Sequence, residues 1–274
     1  MNYRHAFHAG NFADVVKHLA LVQILEYLKK KDAPFAVIDT HAGRGIYDLS
    51  GDEAKRSGEA ARGIERLSGM TSGPAALQTY LDLVRSGGDN RYLGSPLIAA
   101  KLMRPQDRLI AIEKHPEDFA ALETTLAPFR KARAIKADGY ARLPALLPPQ
   151  ERRGLILIDP PYEAPDEFSR AAQAVADIMR RFATAIVVIW FPIKSPASAN
   201  AFCGEVLQTG MRKLLRVDID VGADPDRMGA AGLLIVNPPF GFEADMRATL
   251  DAVAPRLGRT GPAKTALKWL AGAE

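Results

Sequence analysis

The chain has 274 residues, of which 47% are hydrophobic and 25% are charged, a composition typical of a globular protein with one large domain. Its single cysteine, Cys203, excludes an internal disulfide framework and a thiolate-rich zinc site. No apolar run is long enough to span a bilayer and no secretory signal is visible, so we expect a cytoplasmic protein without membrane contact. The net charge of +4 allows a polyanionic partner.

Helical and strand patterns alternate along most of the chain. Asn11 is a suitable N-cap for an amphipathic helix from Phe12 to about Lys31, and Ser95 with Pro96 is the usual start of another helix. Strands are predicted at 35–38, 109–112, 134–137, 154–158 and 185–190, and helices at 119–129 and 165–182. The runs 214–221 and 232–236 are close enough to form an antiparallel hairpin. Repeated β-α-β units predict a single α/β domain, 1–274, with a mostly parallel sheet and helices on both faces.

Residues 50–93 interrupt this alternation. They carry no strong strand signal, and their clearest pattern is helical, at Leu77, Leu81 and Val84. We therefore predict that 50–93 is a small helical subdomain inserted between the first and second core strands. Such an insertion is a candidate for recognising the substrate.

Acidic residues follow four of the predicted strands. Because the carboxyl ends of parallel strands share one edge of a sheet, these carboxylates should gather there. Each acid alone is a common cap or turn residue, but four together favour a ligand rich in hydrogen-bond donors, such as a nucleoside. Glu113 can accept from ribose hydroxyls and Asp138 from an adenine amine, while Gly43 and Gly45 let the backbone approach the ligand. The four acids are Asp39, Glu113, Asp138 and Asp159.

The motif Asp159-Pro160-Pro161-Tyr162 follows the apolar run 154–158. Two prolines stiffen a loop that offers a carboxylate, main-chain carbonyls and an aromatic ring. This combination suits a flat base with an exocyclic amine, which Asp159 and the Pro160 carbonyl would hydrogen-bond while Tyr162 stacks on the ring. A second copy of the pattern, Asn237-Pro238-Pro239-Phe240, follows a later strand. Chain order favours Asp159, because its strand comes directly after the strand that ends at Asp138.

These motifs resemble the bacterial 23S ribosomal RNA adenine-N6 methyltransferase family over nearly the whole chain. The matching segments are 3–18, 39–45, 94–99, 136–139, 153–163 and 237–240. The resemblance implies a Rossmann-like fold and an enzyme that uses S-adenosylmethionine (SAM) to methylate one adenosine of 23S ribosomal RNA, as a monomer and without a metal. It implies that Asp159 is catalytic and that Tyr3 contacts the RNA. It further implies that SAM is contacted by His18, His41, Ser95, Glu113, Asp138, Gly139 and Asp159.

Other functions fit parts of the same pattern. A DNA adenine methyltransferase would use the same loop and cofactor, and a protein glutamine methyltransferase also acts on an NH2 group, although it more often has asparagine in the loop. An RNA-binding module with an inactive cleft is the non-enzymatic alternative, and a nicotinamide oxidoreductase fits least, because the loop has no role in hydride transfer. His18 could simply be a helix residue satisfied by a carbonyl. Two basic groups could bind phosphates or be a solvated face: Lys55, Arg56, Arg62 and Arg66, and Arg256, Arg259, Lys264 and Lys268.

Overall fold

An eight-stranded sheet runs through the protein, whose computed structural model describes residues 7–224 and 227–273. The strands are β1 (Ala36–Asp39), β2 (Ile46–Asp48), β3 (Arg91–Leu93), β4 (Arg108–Glu113), β5 (Ala132–Lys136), β6 (Gly154–Ile158), β7 (Ile186–Pro192), β8 (Leu214–Asp220), β9 (Ala230–Val236) and β10 (Lys264–Ala271). The α-helices are α1 (Phe12–Lys29), α2 (Asp52–Ser57), α3 (Ala75–Ser86), α4 (Ser95–Leu102), α5 (Pro116–Leu126), α6 (Gly139–Arg142), α7 (Glu167–Arg181), α8 (Pro196–Gln208) and α9 (Phe242–Leu257). Short 3-10 helices lie at Ala60–Arg62, Ile64–Leu67 and Leu143–Leu146.

The strand order of the large sheet is β10-β8-β9-β7-β6-β1-β4-β5. β1 pairs in parallel with β4 on one side and with β6 on the other, and β5 and β7 extend the parallel region. β1 and β6 are buried along their whole length, as their unbroken apolar sequences predict, and hydrophobic clusters cover both faces of the sheet. The order reverses beside β1, and a cleft outside the carboxyl ends of the strands is expected at such a point.

The mostly parallel sheet and the antiparallel β8–β9 pair confirm the predicted fold class. The sequence reading missed β10, a strand at the edge of the sheet that pairs with β8. Among the described residues no helix has the length and apolarity needed to cross a bilayer.

Helix α1 begins where it was predicted, with the Asn11 side chain accepting from the Asp14 amide at 2.8 Å. The prediction that α1 is amphipathic is wrong, because α3, α4 and α9 pack around it and bury nearly every side. Two charged residues of α1, Asp14 and Lys17, are therefore enclosed together with His18.

The 50–93 segment is closed by a two-stranded ribbon in which Ile46 pairs with Leu93. Between these strands lie α2, two of the 3-10 helices and α3, so the helical prediction holds except for β3 at the segment's end. Leu77 and Tyr80 of α3 belong to the same hydrophobic cluster as α1. The treatment of this segment as a separate subdomain stays a prediction.

Candidate active site

The Asp159 loop separates two neighbouring cavities at the carboxyl end of β6. The first, which we call the glycine-turn cavity, is lined by Thr40, His41, Gly43, Glu113, Asp138 and Gly139, among others. The second, which we call the lysine cavity, is lined by His8, Asn11, Asp14, Lys17, Tyr162 and Trp190, among others. Asp159 and Pro161 line both cavities, so a group held in one would meet a group held in the other at this loop.

A buried lysine holds the Asp159 carboxylate. Lys17 Nζ donates to Asp14 Oδ1 at 2.7 Å and also to Asp159 Oδ2, and the Gly10 amide donates to Asp14 Oδ2 at 3.0 Å. Burial alone would lower the pKa of Lys17, but the charges of Asp14 and Asp159 outweigh burial and raise that pKa above its usual value. Lys17 is therefore a permanent cation that fixes one oxygen of Asp159.

Glu113 and Asp138 both reach the glycine-turn cavity, as predicted. Glu113 accepts from the Gly43 amide at 2.8 Å and from the His115 amide at 2.6 Å, one on each oxygen. Burial raises the pKa of Glu113, and these amide hydrogen bonds offset part of the rise. Because each carboxylate oxygen has two acceptor positions, Glu113 can still accept from a ligand.

Asp138 is surrounded by donors. Its carboxylate accepts from the Ala141 amide at 3.2 Å, from Lys114 Nζ at 3.0 Å and from Arg170 Nη2 at 3.3 Å. Burial would raise the pKa of Asp138, but Lys114 and the Ala141 amide outweigh burial and hold the pKa below its usual value. Asp138 is thus a charged acceptor at the rim of the cavity.

His41 is a neutral acceptor in the same cavity. The Thr40 hydroxyl donates to the Leu157 carbonyl at 2.9 Å, so the 2.8 Å contact between Thr40 Oγ1 and His41 Nδ1 requires His41 Nδ1–H as the donor. Burial lowers the pKa of His41 to about 4, which keeps the ring uncharged near neutral pH. The tautomer assigned from these hydrogen bonds leaves Nε2 as an acceptor.

Two glycines shape the cavity wall. A Cβ at Gly139 would lie 2.1 Å from the Thr40 carbonyl oxygen, and a Cβ at Gly43, where φ is +62°, would lie 2.1 Å from the Tyr47 hydroxyl. Both positions therefore need glycine, and both place backbone directly at the ligand space.

His18 and Ser95 do not line either cavity. His18 is 1% exposed, and its Nδ1 lies 2.7 Å from the Tyr92 hydroxyl, with the two rings stacked at 5.5 Å. Ser95 is the first residue of α4 rather than its N-cap, which is Gly94. Its hydroxyl donates to Asp39 Oδ2 at 2.6 Å. Tyr3, predicted to meet the RNA, lies outside the described residues.

Asp39 is also removed from the rim where it was expected. It is 1% exposed and lines neither cavity, and burial raises its pKa to about 6, although the Ser95 hydrogen bond opposes this rise. Asp39 and Ser95 therefore form a buried hydrogen bond that links the end of β1 to the start of α4.

The Tyr162 side chain is fixed by a hydrogen bond and a ring contact, so its ring is not a free surface for stacking. Its hydroxyl donates to the Trp190 carbonyl at 2.8 Å, and its ring packs 4.5 Å from the ring of Phe168. The residue adopts φ +49° and is 7% exposed, so only a small part of it borders the lysine cavity. Pro160 is buried and lines neither cavity, and the use of its carbonyl stays a prediction.

The second motif copy lies at the amino ends of the parallel strands, on the side of the sheet opposite to Asp159. β9 runs antiparallel to β7, so Val236 pairs with Val187 near the start of β7. Asn237 Nδ2 donates there to the carbonyls of Ala183 and Ala185, at 3.0 and 2.9 Å. This copy follows the last strand that the sequence predicts, but β9 lies between β7 and β8 and runs antiparallel to β7, so Asn237 lies at the end of the sheet that is remote from Asp159.

An open parallel sheet, an acid- and glycine-lined cavity at its point of reversal, and an adjoining Asp-Pro-Pro-Tyr loop together define a Rossmann-like methyltransferase. Residues 32–271 match the family described as Ribosomal RNA large subunit methyltransferase D, RlmJ, and the chain belongs to that family. The fold and family predictions are thereby confirmed.

The chain is 41% identical over 276 residues to the Ribosomal RNA large subunit methyltransferase J of Escherichia coli (strain K12), covering 98% of this chain and 99% of that protein. It is 38% identical to the protein of the same name from Haemophilus influenzae, again over 98% of this chain and 99% of that protein. A crystal structure of a Legionella pneumophila protein is similar throughout, with 31% identity, a TM-score of 0.87 and coverage of 95% of this chain and 98% of that one.

Proposed function

We propose that this protein transfers the methyl group of SAM to the exocyclic N6 amine of an adenosine in 23S ribosomal RNA. Family membership supports the reaction class, since the full-length relatives carry the name of a large-subunit ribosomal RNA methyltransferase. The observation that carries the proposal is the position of Asp159 at the junction of two cavities, with one oxygen fixed by Lys17. A cytoplasmic location and a monomeric state stay predictions.

The glycine-turn cavity fits SAM by its chemistry. Glu113 is a preset acceptor for ribose hydroxyls, Asp138 is a charged acceptor for the adenine amine, and His41 offers a neutral ring nitrogen. Gly139 and Gly43 line this cavity with backbone alone, because each lies too close to Thr40 or Tyr47 to carry a side chain. His18 and Ser95 would act on the cofactor only through other residues, since neither lines the cavity.

The lysine cavity would receive the target base. Lys17 occupies Asp159 Oδ2, which leaves Oδ1 to accept a hydrogen from the N6 amine. SAM, when bound, supplies a methyl group already activated on a sulfonium centre. The protein's contribution is to orient the amine nitrogen, whose lone pair is otherwise delocalised into the ring, and to stabilise the positive charge that develops on it.

Lys17 cannot itself remove the amine proton, because its raised pKa keeps it protonated. We therefore assign Asp159, whose Oδ1 would accept the proton that the amine loses, as the catalytic residue and Lys17 as the group that orients Asp159. The base must leave its stack to enter, which costs a few kcal/mol. Contact with the Tyr162 side of the lysine cavity would offset part of this cost.

The proposal is tested by incubating the protein with labelled SAM and, in separate reactions, with 23S ribosomal RNA transcript, DNA or cell protein. The expected product is N6-methyladenosine in the RNA alone, identified after nuclease digestion by mass spectrometry. Asp159→Asn should abolish transfer while still binding SAM measurably by calorimetry, whereas Asp251→Asn on the exposed side of α9 should behave as wild type. Label in DNA or protein instead of RNA, or full turnover by the Asp159 variant, would contradict the proposal.

A further inference from the structure

A cluster of three arginines lines a cavity next to the lysine cavity. Arg62 comes from a 3-10 helix of the 50–93 segment, Arg227 precedes β9, and Arg259 follows α9. We call this site the arginine pocket. Its wall also contains Asn11, Phe12 and Glu59, from the beginning of α1 and the 50–93 segment.

The arginine pocket adjoins the lysine cavity. Asn11, Glu59, Arg227 and Met228 line both of them. A nucleotide whose base lies beside Asp159 would therefore have its neighbouring backbone close to the arginine pocket.

The positive charge of the pocket is only partly compensated. Asp224 Oδ2 lies 3.0 Å from Arg259 Nη1 and 3.9 Å from Arg62 Nη1, so two guanidinium groups share one carboxylate. Glu59 also lines the pocket and opposes the lowering of the Arg259 pKa, but its carboxylate accepts from Asn11 Nδ2 at 2.9 Å and lies 3.1 Å from His8 Nδ1.

One guanidinium nitrogen in the pocket, Arg227 Nη1, is enclosed and makes no hydrogen bond within residues 7–224 and 227–273. Arg259 Nη1 is also enclosed, and it forms an ion pair with Asp224 Oδ2 at 3.0 Å without the geometry of a hydrogen bond. Enclosed donors of this kind cost free energy until an acceptor meets them. Burial, together with the neighbouring Arg62 and Arg66, lowers the pKa of Arg259, which is consistent with an excess of positive charge.

A fourth arginine explains how the cluster is held together. Arg66 Nη1 donates to the carbonyls of Arg256 and Gly258, at 3.2 and 2.7 Å, beyond the end of α9. Arg66 is thus committed to main-chain oxygens and ties the 50–93 segment to the C-terminal region. Arg62, with 45% of its side chain exposed, donates to no main-chain oxygen among the residues that the structure describes.

We propose that the arginine pocket binds a backbone phosphate of the RNA beside the target nucleotide. The inference rests on the proposed function, which puts the target base in the adjoining cavity. A phosphate supplies several charged acceptors to enclosed guanidinium donors, and arginine is well suited to it because its planar fork can donate two hydrogen bonds at once. The proposed phosphate site also gives a role to one member of each basic group in the sequence, Arg62 and Arg259, which lie nearly 200 residues apart in the chain.

The test compares Arg62→Gln and Arg227→Gln with Arg133→Gln, an equal loss of charge at the exposed β5 edge far from the pocket. Filter binding of 23S ribosomal RNA transcript is measured from 50 to 200 mM KCl. Each phosphate contact contributes to the RNA-binding constant a factor that varies as the molar salt concentration to the power of roughly −0.9, and the loss of one contact removes that factor. Each pocket variant should therefore bind about 15-fold more weakly at 50 mM and about 4-fold more weakly at 200 mM, with the slope of log affinity against log salt reduced by about one.

Further measurements separate the pocket from its alternatives. The loss should appear as a raised KM for RNA in both variants, while SAM affinity stays at the wild-type value because neither arginine lines the glycine-turn cavity. Inorganic phosphate at constant ionic strength should displace RNA from wild type more readily than from Arg62→Gln, because both ligands would compete for the arginine pocket. Equal displacement from the two proteins would show that the RNA does not occupy the pocket and would overturn the assignment.

Failure of the pocket and failure of the proposed function give different results. If wild type forms N6-methyladenosine but both variants match Arg133→Gln in affinity and salt slope, the arginine pocket is refuted and the methyltransferase function stands. If wild type methylates no RNA, the proposed function fails, and the salt slopes alone decide whether the pocket binds RNA phosphate.

Discussion

Lys17→Met is the substitution that most directly tests the geometry of the site. Methionine keeps a flexible apolar stem of similar length and removes only the ammonium group. The carboxylates of Asp14 and Asp159, whose side chains are 3% and 11% exposed, would then face each other without a cation. Removal of one partner from a buried ion pair costs about 3–5 kcal/mol, because the remaining charge is left unpaired in a poorly solvated place.

The lower end of that range applies here. Asp14 keeps its hydrogen bond from the Gly10 amide, and Asp159 borders two cavities that admit water. We therefore expect a loss of about 3 kcal/mol in the free energy of unfolding at pH 7.5. In the wild type the raised pKa of Lys17 stabilises the fold at every pH below the usual lysine value of 10.5, and that contribution disappears as the pH rises above it.

Urea unfolding followed by circular dichroism measures the loss, with Lys101→Met on the exposed side of α4 as the control. The double variant Lys17→Met with Asp159→Asn should lose less than the sum of the two single changes, because one unpaired carboxylate is removed. The single variant should also transfer methyl groups far more slowly with unchanged SAM affinity, since Lys17 lines only the lysine cavity. A loss below about 1 kcal/mol, or strict additivity, would refute the buried ion cluster.

Three further outcomes are expected. Tyr162→Phe loses the hydrogen bond to the Trp190 carbonyl and should cost about 1 kcal/mol of stability while kcat changes by less than about 2-fold; a large fall in kcat would place the hydroxyl on the substrate. Asn237→Ala loses two hydrogen bonds at φ +50° and should cost about 3 kcal/mol with unchanged turnover, and a folded but inactive variant would contradict its remote position. Burial lowers the pKa of His8, but the Glu59 carboxylate outweighs burial and raises that pKa above its usual value. The stability that this ion pair gives wild type over Glu59→Gln should therefore be fully present below pH 6.5. It should disappear as the pH rises through the raised pKa. Unfolding curves from pH 5 to 9 check this, and a pH-independent difference would disprove it.

The parts of the fold that the sequence predicted are those with strong local patterns. The five residues of β6 and the four of β1 are buried throughout, so their apolar runs are visible without tertiary information. β10 was missed because Lys264, Lys268 and the residues between them alternate exposed and half-buried positions at the sheet edge. β2 and β3 have three residues each, too few to show a period.

The candidate site was predictable where an acidic residue ends a strand, as Glu113 does, or directly follows one, as Asp159 does. Lys17 received no role from the sequence because Asp159 is 142 residues away, and nothing local indicates which acid a buried lysine will meet. Ser95 was taken for an N-cap because Ser-Pro commonly starts a helix, whereas its hydroxyl is used by Asp39 from another strand. A charged pair three residues apart within an apolar helix, Asp14 and Lys17, was the available signal.

The reversed direction of β9 decides which of two similar tetrapeptides, 159–162 or 237–240, borders the two cavities. Had this strand run with its neighbours, Asn237 would emerge beside the cleft and offer a rival amide to an incoming base. Antiparallel insertion between β7 and β8 turns it toward the far side of the molecule, where it ties down the chain ahead of β7. Strand polarity thus leaves one copy of the tetrapeptide beside the cleft and gives the other copy a purely architectural contact.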